Sequence, residues 1–333
     1  MSDQRAILVT GGAGYIGSHC CKALFDAGYH PICFDNFSTG HRDFGKWGPM
    51  IEGDLHDSDV LVRTIRANNV VAVMHLAAFS AVGESVVDPQ KYYFNNVSGT
   101  LSLLGAMREA NCLKLVFSST GAVYGDAAPT LIREDAAKLP VNPYGASKLM
   151  VEAILADYRR AYGLNSVCLR YFNASGADFS GEIGEFRQNE THLIPRALMA
   201  LQGHVADFAV YGADYDTPDG TAIRDYIHVV DLARAHLQAV VLLSQGHFGG
   251  IYNLGTGYGL SVREILETIA IETGRAVPSV LKGRRAGDPP VLVADPGAAK
   301  DVLEFSPRHS DISTIIRSAW AWHQRVHPLR GDV

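Results

Sequence analysis

Two residues with complementary proton chemistry stand four positions apart in this chain. Tyr144 and Lys148 belong to a Tyr-Gly-Ala-Ser-Lys segment that is predicted to open a helix. Positions i and i+4 share one helix face, so the Lys148 ammonium is expected beside the Tyr144 ring. A nearby cation lowers the pKa of a phenol, which would let Tyr144 act as a general base near neutral pH. The same spacing also occurs in surface pairs, so other residues must decide between the two interpretations.

Hydroxyl side chains precede this pair at the predicted end of a strand. Ser118, Ser119 and Thr120 directly follow an apolar stretch. Ligands of open parallel sheets bind at the carboxyl ends of the strands. Thr120 is therefore expected to orient or relay a proton between Tyr144 and a hydroxyl group of the substrate.

A glycine pattern near the N-terminus predicts a dinucleotide site. Gly11, Gly14 and Gly17 lie between a predicted strand and a predicted helix, where glycines let the backbone approach a pyrophosphate. Asp35 ends the next strand, 18 positions after Gly17. Its carboxylate can bind both ribose hydroxyls and would repel the 2′-phosphate of NADP, so NAD is the expected cofactor. Asp54 is expected to contact the adenine. The alternative is that Asp54 is an ordinary carboxylate at the end of a strand, exposed to solvent.

The elements that must position these residues alternate between strands and helices. The predicted strands are Ala6–Thr10, Pro31–Asp35, Met50–Asp54, Val70–Leu76, Leu113–Phe117 and Ser166–Phe172. The predicted helices include Ile16–Ala27, Pro89–Ala110 and Gly145–Tyr162. Continuously apolar strands that alternate with helices predict an α/β fold, a Rossmann-type doubly wound parallel sheet covered on both faces.

A smaller C-terminal substrate-binding domain is expected beside that sheet. Residues 1–174 are predicted to form the NAD-binding domain, with a later return around 225–258, and residues 175–333 mainly the substrate domain. The stretch 176–190 is polar and rich in glycine, which is typical of a long surface loop, and such loops often have a function.

Composition excludes several classes of function. The 333 residues are 47% hydrophobic with a net charge of -6, and no basic run offers a face to nucleic acid. Five cysteines without a C-x-x-C spacing are expected to be reduced thiols in the cytoplasm. No signal peptide or membrane segment is predicted. No metal site is expected either, because His323 and His327 lack an acidic third ligand, and His75 is interpreted as a core residue.

The order of these motifs resembles the extended short-chain dehydrogenase/reductase family over nearly the whole chain. Ten segments carry the resemblance: residues 10–19, 35–36, 52–54, 81–85, 95–97, 118–125, 144–148, 170–173, 224–228 and 284–288. Within that family, they are most similar to the segments of enzymes that invert C4 of UDP-hexoses.

The resemblance implies an activity and a set of contacts. Hydride would pass from C4 of UDP-glucose or UDP-galactose to NAD and return to the other face after the 4-keto sugar rotates, with Tyr144 taking the 4-hydroxyl proton. The implied cofactor contacts are Gly11, Gly14, Tyr15, Ile16, Gly17, Asp35, Asn36, Asp54, Leu55, Ala77, Asn95, Ser118, Tyr144, Lys148 and Tyr171. The implied substrate contacts are Thr120, Tyr144, Phe172, Asn173, His192, Leu193, Tyr211, Arg224, Arg285, Asp288 and Leu292.

Several substrate contacts have roles that the resemblance implies. The diphosphate would lie against Asn173 and Arg224, and the uracil near Tyr211. Arg285 and Asp288 would meet the phosphate and the uridine ribose. Arginine suits such a site because its guanidinium can bind phosphate with two hydrogen bonds. Without the resemblance, Arg224 would more readily be assigned to a surface ion pair with its neighbour Asp225.

Three residues depart from the family pattern. Ser80 stands where many relatives have a lysine that contacts the cofactor phosphates, which predicts looser NAD binding. His192 replaces a common asparagine near the nucleotide. Leu292 replaces an aromatic residue beside the sugar, which predicts weak activity on UDP-N-acetylglucosamine.

Other functions remain open on the sequence. A 4,6-dehydratase would need Asp-Glu after Thr120, where this chain has Gly121 and Ala122. A 4-epimerase of another UDP-sugar, such as an N-acetylhexosamine, a pentose or a uronate, is hard to exclude. A non-catalytic NAD sensor is a third alternative, which intact Thr120, Tyr144 and Lys148 disfavour. The resemblance further implies a homodimer through the helices predicted at 89–110 and 145–162.

Overall fold

Seven parallel strands form the sheet on which the predicted cofactor site depends. The computed structural model of the chain describes residues 5–125, 131–285 and 288–327. Its strands are β1 Ala6–Thr10, β2 His30–Asp35, β3 Met50–Glu52, β4 Val70–His75, β5 Lys114–Thr120, β6 Asn165–Tyr171, β7 Asn173–Ser175, β8 Ala209–Tyr211, β9 Ile223–Arg224, β10 Tyr226–His228, β11 Gly249–Leu254, β12 Leu260–Ser261, β13 Val280–Lys282 and β14 Val291–Leu292. The large sheet has the order β11-β6-β5-β4-β1-β2-β3.

Helices connect and cover these strands. They are α1 Tyr15–Asp26, α2 Ser58–Ala67, α3 Val82–Val87, α4 Pro89–Tyr92, α5 Gly99–Glu109, α6 Pro143–Tyr162, α7 Leu193–Leu201, α8 Val229–Ser244, α9 Val262–Thr273, α10 Gly297–Leu303 and α11 Ile312–Val326. A π-helical turn, Tyr93–Ser98, joins α4 to α5. The helix predicted over 89–110 is therefore helical throughout but not a single α-helix.

Alternating side chains of the strands build a core on each face of the sheet. Ile7 and Val9 of β1 pack with Leu24 of α1 and Leu232 of α8 on one face. Leu8 packs on the opposite face, with side chains of α2, α5 and α6. Both faces are covered, which is why the strands are apolar without interruption. The predicted Rossmann-type α/β fold is confirmed.

The strand order reverses between β1 and β4. β1 pairs with β2 on one side and with β4 on the other, all in parallel. The carboxyl ends of β1, β4 and β5 therefore meet at one edge, which is where open parallel sheets bind ligands. β5 continues to Thr120, three residues beyond the predicted end at Phe117, so the three hydroxyl residues belong to the strand itself.

A second core lies in the C-terminal part of the chain. It is formed by α7, α9 and α11 around Leu198, Ile265 and Ile316. β11 belongs to the seven-stranded sheet, while the exact division into domains stays a prediction. Across the described residues, no helix combines the length and apolar character that a membrane crossing requires.

The segment after β7 is not the surface loop that its polar composition predicts. Ala177 and Ile183 are fully buried, and the carboxylate-bearing Glu185 and Glu190 are buried as well. Ala177 and Ile183 pack with Trp322 of α11 in a small cluster of their own. The segment thus buries part of its polar side chains, Asp178, Glu185 and Glu190, while Ser180, Glu182, Gln188 and Asn189 stay exposed.

Candidate active site

The glycine loop has a geometry that only glycine allows. Gly11 has φ +71°, and a Cβ on it would lie 2.7 Å from the backbone nitrogen of Ala77. A Cβ on Gly17 would lie 2.0 Å from the carbonyl oxygen of Gly11. Gly14 is the N-cap of α1 and offers no side-chain cap, so the first amides of this 12-residue helix remain available to an anion.

Asp35 connects the glycine loop to β2. Its Oδ2 accepts a hydrogen bond of 3.0 Å from the Ala13 amide, and its Oδ1 accepts one of 2.8 Å from the Phe37 amide. Burial raises the pKa of Asp35. The neighbouring Asn36 donates to the Asp54 carboxylate at 2.8 Å, which brings all three predicted residues of the nucleoside end together.

The remaining predicted cofactor residues pack or hydrogen-bond within the fold. Tyr15 donates from its hydroxyl to the Gly176 carbonyl oxygen at 2.7 Å, which ties α1 to the segment after β7. Asn95 donates to the side chain of Asn96 at 2.9 Å. Two further predicted contacts are apolar side chains packed against the core: Ile16 and Leu55.

Thr120, Tyr144 and Lys148 converge at the end of β5. The Thr120 hydroxyl accepts a hydrogen bond of 3.1 Å from the Ala122 amide and lowers the pKa of the neighbouring Tyr144. Lys148 donates from Nζ to the Ser118 carbonyl oxygen at 2.8 Å, and the Ser118 hydroxyl is hydrogen-bonded to that of Tyr171. The structure therefore brings together the three predicted catalytic residues and two predicted cofactor residues.

Burial governs the pKa values at this cluster. It raises the pKa of Tyr144, while the Thr120 hydroxyl and the charge of Arg187 lower it. Burial also lowers the pKa of Lys148 to about 7, because desolvation penalises its charged form. The effect of Lys148 on the pKa of Tyr144 stays a prediction.

The predicted diphosphate residues lie on β7 and β9. Asn173 donates from Nδ2 to the Asp225 carbonyl oxygen at 2.9 Å. Arg224 forms an ion pair with Asp288. The alternative of a surface pair between Arg224 and Asp225 is wrong, because Asp225 is buried and accepts hydrogen bonds from the Thr256, Gly257 and Ala294 amides.

The residues predicted to contact the uridine and the sugar lie in two pairs, Arg285 with Tyr211 and Leu292 with Phe172. The Arg285 guanidinium lies 4.0 Å from the centre of the Tyr211 ring. Leu292 on β14 packs with Phe172 against a buried cluster that includes Tyr124. The Phe172 ring also covers Gly121, where a Cβ would lie 2.9 Å from it.

His192 and Leu193 lie where the segment after β7 enters α7. His192 is the N-cap of that helix, and its Nδ1 lies 2.6 Å from Glu185 Oε1. Leu193 packs at the edge of the C-terminal core. His75 has two hydrogen-bonded ring nitrogens, 2.7 Å from Thr10 and 2.9 Å from Thr100, as expected of a core histidine.

Two groups of buried charges were not anticipated from the sequence. One is the ion pair of Arg170 with Glu152, both buried. The other contains the buried carboxylates of Glu185 and Glu190 with the partly exposed Arg187, next to His192. The spacing of Glu152 and Arg170 along the chain does not indicate that they form a pair. The polar, glycine-rich composition of residues 176–190 predicts a surface loop, so the charges buried within it were not expected.

The sheet, the glycine loop and the Thr-Tyr-Lys cluster at the strand reversal define a dinucleotide-dependent enzyme. The chain belongs to the NAD dependent epimerase/dehydratase family, whose model matches residues 7–255. It is 50% identical to a UDP-glucose 4-epimerase of Rhizobium leguminosarum bv. trifolii over 321 residues, which cover 96% of this chain and 98% of that relative.

Solved structures agree with the sequence relatives. A UDP-glucose 4-epimerase from Brucella ovis in complex with NAD has a TM-score of 0.94 and 54% identity, covering 95% of this chain and 98% of that one. The enzyme from Bifidobacterium longum in complex with NAD+ and UDP has a TM-score of 0.90 and 38% identity, covering 96% of this chain and 98% of that one.

Proposed function

We propose that this enzyme interconverts UDP-glucose and UDP-galactose by transient oxidation at C4 of the sugar. The observation that carries the proposal is the placement of Thr120, Tyr144 and Lys148 at the edge where β1, β4 and β5 end. Relatives that are 48–54% identical to the chain are UDP-glucose 4-epimerases, and the chain covers 97–98% of their length.

The chain fits NAD as its resident cofactor. The glycine loop packs too closely for a Cβ at Gly11 or Gly17 and leaves the N-terminus of α1 without a side-chain cap, which suits a pyrophosphate, and Asp35 and Asp54 lie at the nucleoside end. When bound, NAD supplies the hydride acceptor and donor for C4. Tyr144 holds the proton of the 4-hydroxyl, Thr120 orients that hydroxyl, and Lys148 fixes the nicotinamide ribose. Asn173 and Arg224 bind the diphosphate.

The structure also argues against a dehydratase. Elimination of water needs an acid after Thr120, and Gly121 occupies that position with the Phe172 ring 2.9 Å from the place of its Cβ. An acidic side chain there would have to displace a ring that stacks on Tyr124. The next position, Ala122, carries no acid either.

Incubation with UDP-galactose tests the proposal directly. Purified enzyme without added NAD is expected to form UDP-glucose, since the cofactor is regenerated in each cycle. Formation of a 4-keto-6-deoxy sugar instead would indicate a dehydratase. If no product forms even when NAD is added, the protein is not a UDP-hexose epimerase.

The cofactor released by denaturation is expected to be NAD rather than NADP. Asp35 is held by two backbone amides at the nucleoside end, so it cannot move away from a 2′-phosphate. The measurement is chromatographic identification of the nucleotide from purified enzyme. Mostly NADP would contradict the role of Asp35.

Leu292→Tyr is expected to lower the activity on UDP-N-acetylglucosamine relative to UDP-glucose. Leu292 packs beside Phe172, and a larger residue there would reduce the space next to the sugar. Size alone gives about 1–3 kcal/mol of discrimination, so the ratio of the two kcat/KM values should fall about 10- to 200-fold. A matched control is Leu281→Tyr on an exposed strand. An unchanged ratio in Leu292→Tyr would show that other residues set the sugar pocket.

The enzyme is proposed to act as a homodimer in the cytoplasm. The two helices predicted for the dimer, residues 89–110 and 145–162, carry exposed apolar side chains: Phe94, Leu101, Met150 and Tyr162. Such a face suits a second copy of the chain. Sedimentation equilibrium is expected to give twice the chain mass of 36.0 kDa, whereas the mass of one chain would contradict the dimer. The five free, buried cysteines are consistent with a reducing compartment.

A further inference from the structure

Asp225 stands where the chain passes from one small sheet to another. It lies between β9, which pairs with β12 and β14, and β10, which pairs with β7. Only 1% of Asp225 is exposed, so its carboxylate has exchanged water for protein partners. A buried carboxylate is costly unless hydrogen bonds replace the lost water, and its partners therefore identify the structure that this group maintains.

The side chain of Asp225 holds two separate segments. Its Oδ1 accepts hydrogen bonds of 2.9 Å from the Thr256 amide and 2.8 Å from the Thr256 hydroxyl. Its Oδ2 accepts hydrogen bonds of 3.2 Å from the amides of Gly257 and Ala294. Thr256 and Gly257 follow β11 of the seven-stranded sheet, whereas Ala294 follows β14. One carboxylate therefore ties the end of the large sheet to the strand that carries Leu292.

The backbone of Asp225 holds further residues of the candidate site. Its carbonyl oxygen accepts hydrogen bonds from the Asn173 amide at 3.2 Å and from Asn173 Nδ2 at 2.9 Å. Its amide donates to the Leu292 carbonyl oxygen at 3.1 Å. Arg224 directly precedes Asp225 and lies opposite Leu292 in the β9–β14 pair. Three predicted substrate residues on three different strands thus depend on the position of one residue.

The turn after β11 is shaped to admit the carboxylate. A Cβ on Gly255 would lie 2.3 Å from Asp225 Oδ2 and 2.7 Å from the Cβ of Ala294. Gly257 has φ +81°, in the left-handed region that glycine adopts without strain. Glycine at these two positions lets the amides of the turn approach the carboxylate closely.

The side-chain partners of Asp225 are all donors, so the position calls for a group that only accepts. Burial raises the pKa of Asp225 to about 6, against the effect of the hydrogen bonds from Thr256, Gly257 and Ala294, and at pH 8 the group is therefore a carboxylate. An asparagine of the same shape would turn an NH2 group toward one of these donors. At least one buried donor would lose its acceptor, which is the costly way to lose a hydrogen bond.

We propose that Asp225 is a positioning residue of the epimerase reaction, which fixes Arg224, Asn173 and Leu292 relative to one another so that they bind one UDP-sugar together. The inference rests on the proposed function, because Arg224 and Asn173 are assigned to the diphosphate there. A fixed diphosphate matters to this reaction, since the 4-keto sugar must rotate about its link to the diphosphate and return to the same cofactor.

Five enzymes test the inference: the wild type, Asp225→Asn, Thr256→Val, the double variant of these two, and Asp231→Asn. Asp231 is the matched control, because it is also buried and accepts hydrogen bonds from two amides and a serine hydroxyl. Its partners belong to residues 308–310, outside the predicted site. The measurements at pH 8 are kcat and KM for UDP-galactose, the Kd of UDP by calorimetry, the bound NAD and the Tm.

Asp225→Asn is expected to raise both KM and the Kd of UDP about tenfold or more, because buried donors lose a charged acceptor. The value of kcat should stay within about threefold of the wild type, which is the sign of lost substrate binding, and the bound NAD should not change. Thr256→Val removes one donor and should raise KM and Kd about threefold. Its effect should be less than additive with that of Asp225→Asn. Asp231→Asn should lower the Tm but keep the wild-type KM and Kd.

Three results for Asp225→Asn would overturn the inference. They are an unchanged KM and Kd of UDP, a loss confined to kcat or bound NAD, and a rise in KM and Kd that Asp231→Asn shows equally. If Asp225→Asn does not fold, Thr256→Val decides, and an unchanged KM and Kd in that variant would overturn the inference.

The Kd of UDP separates this inference from the proposed function. An inactive wild type that binds UDP would refute the proposed function alone, and the Kd of UDP in the variants would still decide the role of Asp225. A wild type that binds no UDP would refute both.

Discussion

Replacement of Tyr144 by phenylalanine is expected to reduce kcat by about 100- to 10,000-fold, the usual contribution of a general acid-base group. The ring of Tyr144 packs edge-on against Tyr92, with 6.5 Å between ring centres, and phenylalanine keeps that contact. The hydroxyl group lost is the one whose pKa the neighbouring Thr120 lowers. The fold and the amount of bound NAD should therefore stay close to those of the wild type.

The matched control is Tyr158→Phe, about four turns further along the same helix. Tyr158 packs against Tyr162 with 5.1 Å between ring centres, outside the site. Its variant should keep the wild-type rate. The experiment compares kcat, bound NAD and circular dichroism of the three enzymes. If Tyr144→Phe retains more than about a tenth of the rate, the base of the reaction is another group.

The parallel sheet could be predicted because the sequence features that indicate it involve residues close together in the chain. Continuous apolar strands, glycines at a strand-helix junction and a carboxylate at the end of β2 each depend on a few neighbouring residues. Gly17 illustrates this, since a Cβ on it would lie 2.0 Å from the carbonyl oxygen of Gly11, in the same loop. Thr120, Tyr144 and Lys148 were located together for the same reason: strand ends and helix starts of one parallel sheet share an edge.

Interactions between distant segments could not be predicted in this way. Arg224 pairs with Asp288, 64 positions away, rather than with its neighbour Asp225. The partners of Asp225 are backbone amides that the fold brings to it. Similarly, Glu185 is buried because Trp322 of the last helix covers its segment, which the polar composition of residues 176–190 does not indicate.

Electrostatics is harder to predict from the sequence where burial outweighs proximity. The i+4 spacing correctly places Lys148 on the same helix face as Tyr144, yet desolvation lowers the pKa of Lys148 to about 7. Desolvation also raises the pKa of Tyr144. Whether a neighbouring ammonium keeps its charge depends on how far the fold removes it from solvent, and this burial cannot be read from the sequence.

Loss of the buried ion pair between Arg170 and Glu152, next to the candidate active site, has the largest expected effect on stability. Arg170 of β6 donates to both carboxylate oxygens of Glu152 on α6, at 2.9 and 2.5 Å. Ser119 donates to the same carboxylate at 2.5 Å, and Arg170 donates to the Tyr124 hydroxyl at 2.7 Å. This network joins α6 to the ends of β5 and β6, next to Thr120 and Tyr171.

Glu152→Ala is expected to lower the free energy of unfolding by about 3–5 kcal/mol, because it leaves the Arg170 guanidinium buried without its counter-charge. The control is Glu109→Ala, which breaks an exposed pair with Arg66 and should cost no more than about 1 kcal/mol. Urea denaturation of both variants and the wild type supplies the measurement.

A double variant separates the loss of a partner from the loss of packing. Glu152→Leu with Arg170→Met removes both charges and keeps apolar volume, so it should recover most of the stability lost in Glu152→Ala. Recovery would show that the penalty arises from an uncompensated charge at the ends of β5 and β6. If Glu152→Ala costs no more than Glu109→Ala, Arg170 has found another partner or water, and the buried pair is not what holds α6 against the strands that carry Thr120 and Tyr171.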